Sequence, residues 1–149
     1  GTINNGHVWG SLKEAIVEVL NAYKADVVIT FDHTGWYYHL DHVGTSIATT
    51  LAFHDERTSV KALLYSHFRP EEEHDVWDYK YSETMPVTHQ VVVHNIQEKL
   101  QACSFHVSQD LEVVELYLQN NETHAELYEW GFGDQNMKQY LEASIFSPL

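Results

Sequence analysis

Two imidazoles and a carboxylate fall within four residues at His39-Leu40-Asp41-His42. Neutral imidazole nitrogens and carboxylate oxygens are zinc donors, and a catalytic zinc keeps one coordination position open for water. A carboxylate two residues from a histidine can also orient the ring and raise its basicity without touching the metal. The same spacing has a plain structural reading, in which Asp41 caps a helix and both histidines are solvated. Spacing alone therefore identifies no reaction, and the weight falls on where the segment sits.

That place is the carboxyl end of a predicted strand. Asp26-Val27-Val28-Ile29-Thr30-Phe31 is apolar and rich in β-branched residues, which predicts a strand buried on both faces, as in a parallel sheet. The polar and aromatic run from Asp32 to His42 follows. A helix is then expected from about Val43 to His54, with Ile47, Leu51 and Phe53 inward. If Asp41 lies near that helix's N-terminus, the amides there stabilise its carboxylate. Ligands of open α/β sheets bind outside the carboxyl ends of the strands, so this loop is the leading candidate site.

The surrounding elements must hold it there. Ser11-Leu12-Lys13-Glu14 fits a capping box, and Leu12, Ile16, Val19, Leu20 and Tyr23 then recur at helical spacing. Helix followed closely by a buried strand is the rhythm of an α/β layered fold. Val60 to Phe68 reads as a second strand, the acidic and aromatic stretch 69–82 as a loop or insertion, and Thr88 to Val93 as a short strand. Asn95-Ile96-Gln97-Glu98 resembles another capping box, opening a helix to about Val107. From Asp110 onward the pattern suggests helical segments around a Trp130-Gly131-Phe132-Gly133 break.

Bulk composition narrows the classes. The 149 residues are 44% hydrophobic and 20% charged, enough for one domain with a core. No apolar run approaches the roughly 18–20 residues that span a bilayer. Twenty-two acidic against eight basic side chains give a formal charge of −14, which argues against nucleic-acid partners, whose affinity comes mainly from Lys and Arg on phosphates. The single Cys103 makes a reducing cytoplasm the default and is expected as a small buried residue. The first residues, Gly1-Thr2-Ile3-Asn4-Asn5-Gly6, read like an internal loop, so residues 1–149 are expected to be the C-terminal part of a longer domain.

Val27-Val28-Ile29-Thr30-Phe31-Asp32, continued by Gly35-Trp36-Tyr37-Tyr38-His39-Leu40-Asp41-His42-Val43, resembles the second motif of the PIG-L/LmbE-type N-acetylglucosaminyl deacetylases. There a strand of the DVVLTHDP kind runs into G-x-Y-G-H-P-D-H. Lys99 to Gln109 similarly resembles that family's late helix, K-x-x-A-x-x-x-H-x-S-Q. The resemblance covers about Leu12 to Leu51 and the Lys99–Gln109 stretch. It implies a Rossmann-like three-layer α/β sandwich with a mostly parallel sheet, its N-terminal strands lying outside this chain. It implies zinc as cofactor with His42 as a ligand. His39 would act as general acid or support the oxyanion, Asp41 would support His39, and Tyr37 would lie on the oxyanion side. The implied activity is removal of an acetyl group from an N-acetylglucosamine-like amino-sugar conjugate, a small molecule.

The chain departs from that pattern in two ways. Leu40 stands for the motif's Pro and Tyr38 for its second Gly, and the family's first motif, A-H-P-D-D-E, with the remaining zinc ligands and the general base, is absent. Other residues invite weaker readings. Trp36, and less so Trp77, could stack on a sugar; His106 with Ser108-Gln109 could reach a pocket rim; Glu71-Glu72-Glu73-His74 could bind metal but reads as a solvated loop; the Asn121 sequon reads as coincidence. A non-hydrolytic metalloenzyme on the same fold, such as a hydratase, stays open. So does a degenerate sugar-binding or homo-oligomerisation domain.

Overall fold

A computed structural model of the chain describes residues 6–67, 86–107 and 124–149, leaving aside the side chains of 6–9, 37 and 124. Within them the chain runs α1 (Gly6–Tyr23), β1 (Val27–Phe31), a short turn α2 (Gly35–Tyr38), α3 (Leu40–Phe53), β2 (Ala62–His67), β3 (His89–Val93), α4 (Ile96–Ser104), β4 (His124–Gly133), α5 (Gln135–Ser144) and β5 (Ser147–Pro148). The fold is mixed α/β.

The first helix begins earlier than the capping-box reading places it. Ser11 lies inside α1, and Glu14, instead of reaching back, binds Arg57 beyond the end of α3. Its C-terminus closes as a Schellman motif: Lys24 takes a φ of 51°, and the amides of Lys24 and Ala25 return to the carbonyls of Asn21 and Leu20. Two residues later β1 starts, so the helix end fixes where the strand enters.

Strand order is β1-β2-β4-β3-β5. Only β1 and β2 are parallel; β2–β4, β4–β3 and β3–β5 are antiparallel. The expectation of a mostly parallel sheet is thus not met among the described residues. The cause is β4, a ten-residue strand in the middle of the sheet where the sequence suggests helices and a glycine break. Gly131 is skipped in the β2–β4 register, between Leu63↔Phe132 and Leu64↔Trp130. A Cβ there would lie 2.5 Å from the Tyr65 ring. The glycine that looks like a chain break is a bulge that lets a neighbouring aromatic close over the strand.

Helices cover both faces. Val17, Leu20 and Ala52 cluster with Val28 under α1 and α3, while Leu141 and Phe146 cluster with Ala62, Leu64 and Val27 under α5. Val27 and Val28 alternate between the two clusters as successive strand residues must. Yet among the described residues β1 lies at the sheet's edge, with Ile29 47% exposed, and is not buried on both sides.

The inward face of α3 is also different from the expected one. Gly44, Ser46, Ala48, Thr49 and Ala52 are buried, whereas Ile47 and Leu51 are 46% and 49% exposed. Small residues let α3 approach α1 and the sheet closely, so the large aliphatics are turned out. β3 and α4 match expectation, and the Asn95 side chain accepts the Glu98 amide as its cap. Cys103 is half-buried rather than buried. The stretch 69–82, with Glu71–His74 and Trp77, and also Ser108, Gln109 and Asn121, lie outside the described residues.

Denaturant unfolding tests this orientation of α3. Leu51→Gln should change stability by no more than about 0.5 kcal/mol, whereas Ala48→Leu, at a fully buried position, should cost about 1–3 kcal/mol by overpacking.

Candidate functional site at the ends of β1 and β2

Because β1 and β2 are parallel, their carboxyl ends lie side by side, with Phe31 paired to Ser66. The chain leaving β1 turns at once, and the turn is built around Asp32. Its Oδ1 accepts from the Thr34 amide at 2.9 Å, the Thr34 hydroxyl at 2.7 Å and the Trp36 amide at 3.2 Å. Its Oδ2 faces His67 Nδ1 at 3.2 Å, and His67 Nε2 in turn lies 3.3 Å from Glu129 Oε2. Burial pushes the Asp32 carboxyl up, but the hydrogen bonds from His67, Thr34 and Trp36 and the nearby imidazole outweigh it and bring the group down to about 2.

What Asp32 holds is strained backbone. Gly35, Trp36 and Tyr38 have φ of 60°, 69° and 62°, a region costing an L-residue with a side chain about 1–2 kcal/mol. Gly35 has a second constraint, since a Cβ there would meet His42 Cβ and the Val43 amide nitrogen, each at 2.7 Å. The Trp36 indole N–H donates to the Ser66 carbonyl at 3.0 Å, tying the turn to β2. Such strain persists only where surrounding contacts over-determine it, and it concentrates at functional sites.

Beyond the turn, α3 begins with His39 as its cap, and Asp41 falls in its first turn as expected. His39 Nδ1 accepts the Asp41 amide at 3.2 Å. In the neutral ring the proton is therefore on Nε2. The Asp41 carboxylate is 89% exposed and 3.9 Å from Nδ1, so the backbone of Asp41, more than its charge, orients His39. His42 lies flat against Phe31, with centroids 4.1 Å apart, and meets the Trp36 ring edge-on at 5.9 Å. Its Nδ1 is 3.2 Å from the Gly35 carbonyl. A carbonyl only accepts, so Nδ1 carries the proton and the neutral ring presents Nε2 as its lone-pair nitrogen. Desolvation is the largest influence on His42 and pulls it below the usual histidine value, with His39 adding to the effect against the opposing Gly35 bond and Asp41 charge. The neutral form is the one that ligates metal.

The structure thus brings His39 and His42 together, their centroids 4.9 Å apart. Trp36 joins them as a wall packed on Phe31 and His42. The backbone of Tyr37 belongs to the turn, and its side chain lies outside the described residues. His106 is exposed at the end of α4, and Lys99 of the same helix pairs with Glu126. Among the described residues no group of three or more His, Cys, Asp and Glu side chains is placed to hold a metal ion. Sequence reasoning missed Asp32, Ser66 and His67. The available signal was that His67 falls at the carboxyl end of the second predicted strand, beside the first.

Two measurements follow from the turn. Gly35→Ala should destabilise by about 2–4 kcal/mol, while Tyr38→Gly, which relieves a positive φ, should stay within about 1 kcal/mol of wild type or exceed it. A carboxyl brought down in the folded state stabilises above its unfolded value and loses that contribution as pH falls. Asp32, moving from 3.8 to about 2, should contribute about 2 kcal/mol that disappears between about pH 4 and 2, and an acid titration of Asp32→Asn should lack it. No family model, curated protein or solved structure matches the chain.

Proposed function

We propose that this chain carries part of the active site of a zinc-dependent N-deacetylase acting on an N-acetylglucosamine-like amino-sugar conjugate. The observation that carries the reading is the pairing of His39 and His42 at the carboxyl end of β1, with opposite tautomers. His42, its Nδ1 donating to the Gly35 carbonyl, has the backbone-anchored form of a metal-ligating imidazole. His39, its Nδ1 engaged by the Asp41 amide, directs a donor at its other nitrogen.

The turn supports the resemblance to the PIG-L/LmbE motif at a point where the sequence departs from it. The motif has glycine where this chain has Tyr38, and Tyr38 has the positive φ that favours glycine. A backbone that suits glycine at this position supports the reading although the residue itself is tyrosine. In the same reading β1 and β2 belong to a Rossmann-like sheet, with further parallel strands on the open β1 edge. His42 would be one zinc ligand, the others and the general base coming, as the resemblance implies, from a segment outside this chain. Zinc there would supply an activated water and polarise the acyl carbonyl. The chain's own part is narrower. His39 Nε2–H donates to the developing oxyanion, a contact made stronger by the turn's rigidity. Trp36 and Phe31 exclude water from one side of His42, and Asp41, in the first turn of α3, holds the His39 ring by its amide. A cytoplasmic setting and a small-molecule partner, without nucleic acid or membrane, go with this reading.

An assay of the full-length protein on N-acetylglucosamine conjugates, with and without chelator, tests it. His39→Ala should lower kcat by about 10²-fold or more, and chelation should abolish turnover. Chelator-insensitive hydrolysis, or His39→Ala within about tenfold of wild type, contradicts the mechanism.

A further inference from the structure

We infer that Asp32, His67 and Glu129 form a buried positioning chain that holds the His39/His42 pair in its working geometry. The inference rests on the deacetylase reading for its kinetic consequence, though not for its structural one. The three side chains come from adjacent strands, Asp32 just beyond β1, His67 at the end of β2 and Glu129 on β4. His67 and Asp32 side chains are 6% and 7% exposed, and Glu129 18%. The His67 ring thus bridges two carboxylates, one at each nitrogen.

From Asp32 the chain continues into the site without a gap. One carboxylate oxygen faces His67, and the other gathers Thr34 and the Trp36 amide. The Gly35 amide donates to the Asp32 carbonyl, and the Gly35 carbonyl receives His42 Nδ1. His39 follows the turn directly and caps α3. A strained turn without its anchor relaxes towards ordinary backbone angles, and the Gly35 carbonyl and His39 move with it. Asp32 and His67 reach the histidine pair through the turn that Asp32 anchors. They are positioning residues.

The test compares Asp32→Asn, His67→Gln and Thr34→Val with wild type, all in the full-length protein. One arm measures hydrogen exchange of the Trp36 indole N–H and of the Thr34 and Trp36 amides, with the melting temperature. The other measures kcat and KM on an N-acetylglucosamine conjugate. Asp32→Asn and His67→Gln should keep a cooperative melt, speed exchange at those sites about tenfold or more, and lower kcat about 10²-fold with KM within about threefold. Thr34→Val, which removes one of the three donors to Oδ1, should have a smaller effect of the same kind and keeps the test decisive if the Asp32 variant does not fold. A purely structural role would lower the melting temperature and leave kcat per folded molecule unchanged, which overturns the inference. So would unchanged exchange at Trp36 in Asp32→Asn. If the full-length wild-type protein shows no hydrolysis, the deacetylase reading fails, and the exchange arm still decides whether Asp32 and His67 position the turn.

Discussion

Where the chain leaves β1, the carboxylate of Asp32 accepts the amides of Thr34 and Trp36 and the Thr34 hydroxyl on one oxygen and meets His67 with the other. Each of those bonds is charge-assisted and shielded from water, which makes it stronger than its exposed equivalent. Together they offset a turn in which Trp36 and Tyr38 both have positive φ. Without them nothing in the local sequence would favour that backbone, since neither tryptophan nor tyrosine tolerates it readily. The positions of His42, Trp36 and His39 all descend from this one group.

The sheet supplies the other half of the arrangement. Parallel pairing of β1 with β2 puts Asp32, Ser66 and His67 at one end of the sheet, and the antiparallel strand β4 brings Glu129 beside them. The bulge at Gly131 and the close fit of small residues on α3 allow the layers to approach. Thr50 on α3 bonds the Tyr65 hydroxyl, and Arg57 ties Glu14 of α1 to Asp55 beyond α3. The hydrogen bonds of Arg57 and Lys13 hold the Asp55 carboxyl well below its ordinary value, so the scaffold beneath the site is also fastened at its far end.

Local patterns in the sequence were readable where one element decides the outcome. β1, β2, β3 and α4 are where propensity and capping put them, and the His39–His42 segment stands at the strand end that drew attention to it. What escaped depends on partners remote in sequence. Ile47 and Leu51 look inward by periodicity alone, but the closeness of α1 to α3 selects Ala48 and Ala52 instead. The helical look of the region after Asp110 does not reveal that His124–Gly133 is claimed by pairing on both edges. Asp32 and His67 are 35 residues apart, and only strand register brings them together. The strain at Tyr38 was half visible, as a tyrosine where the resembling motif has glycine.

The tautomers of the two histidines concentrate this account into one observable. Nitrogen-15 spectra of the imidazole rings near neutral pH, recorded without and then with added zinc, read both protonation and coordination. His42 should carry its proton on Nδ1 and His39 on Nε2, with zinc shifting Nε2 of His42 and leaving its Nδ1–H in place. A His42 protonated at Nε2 and indifferent to zinc would contradict it.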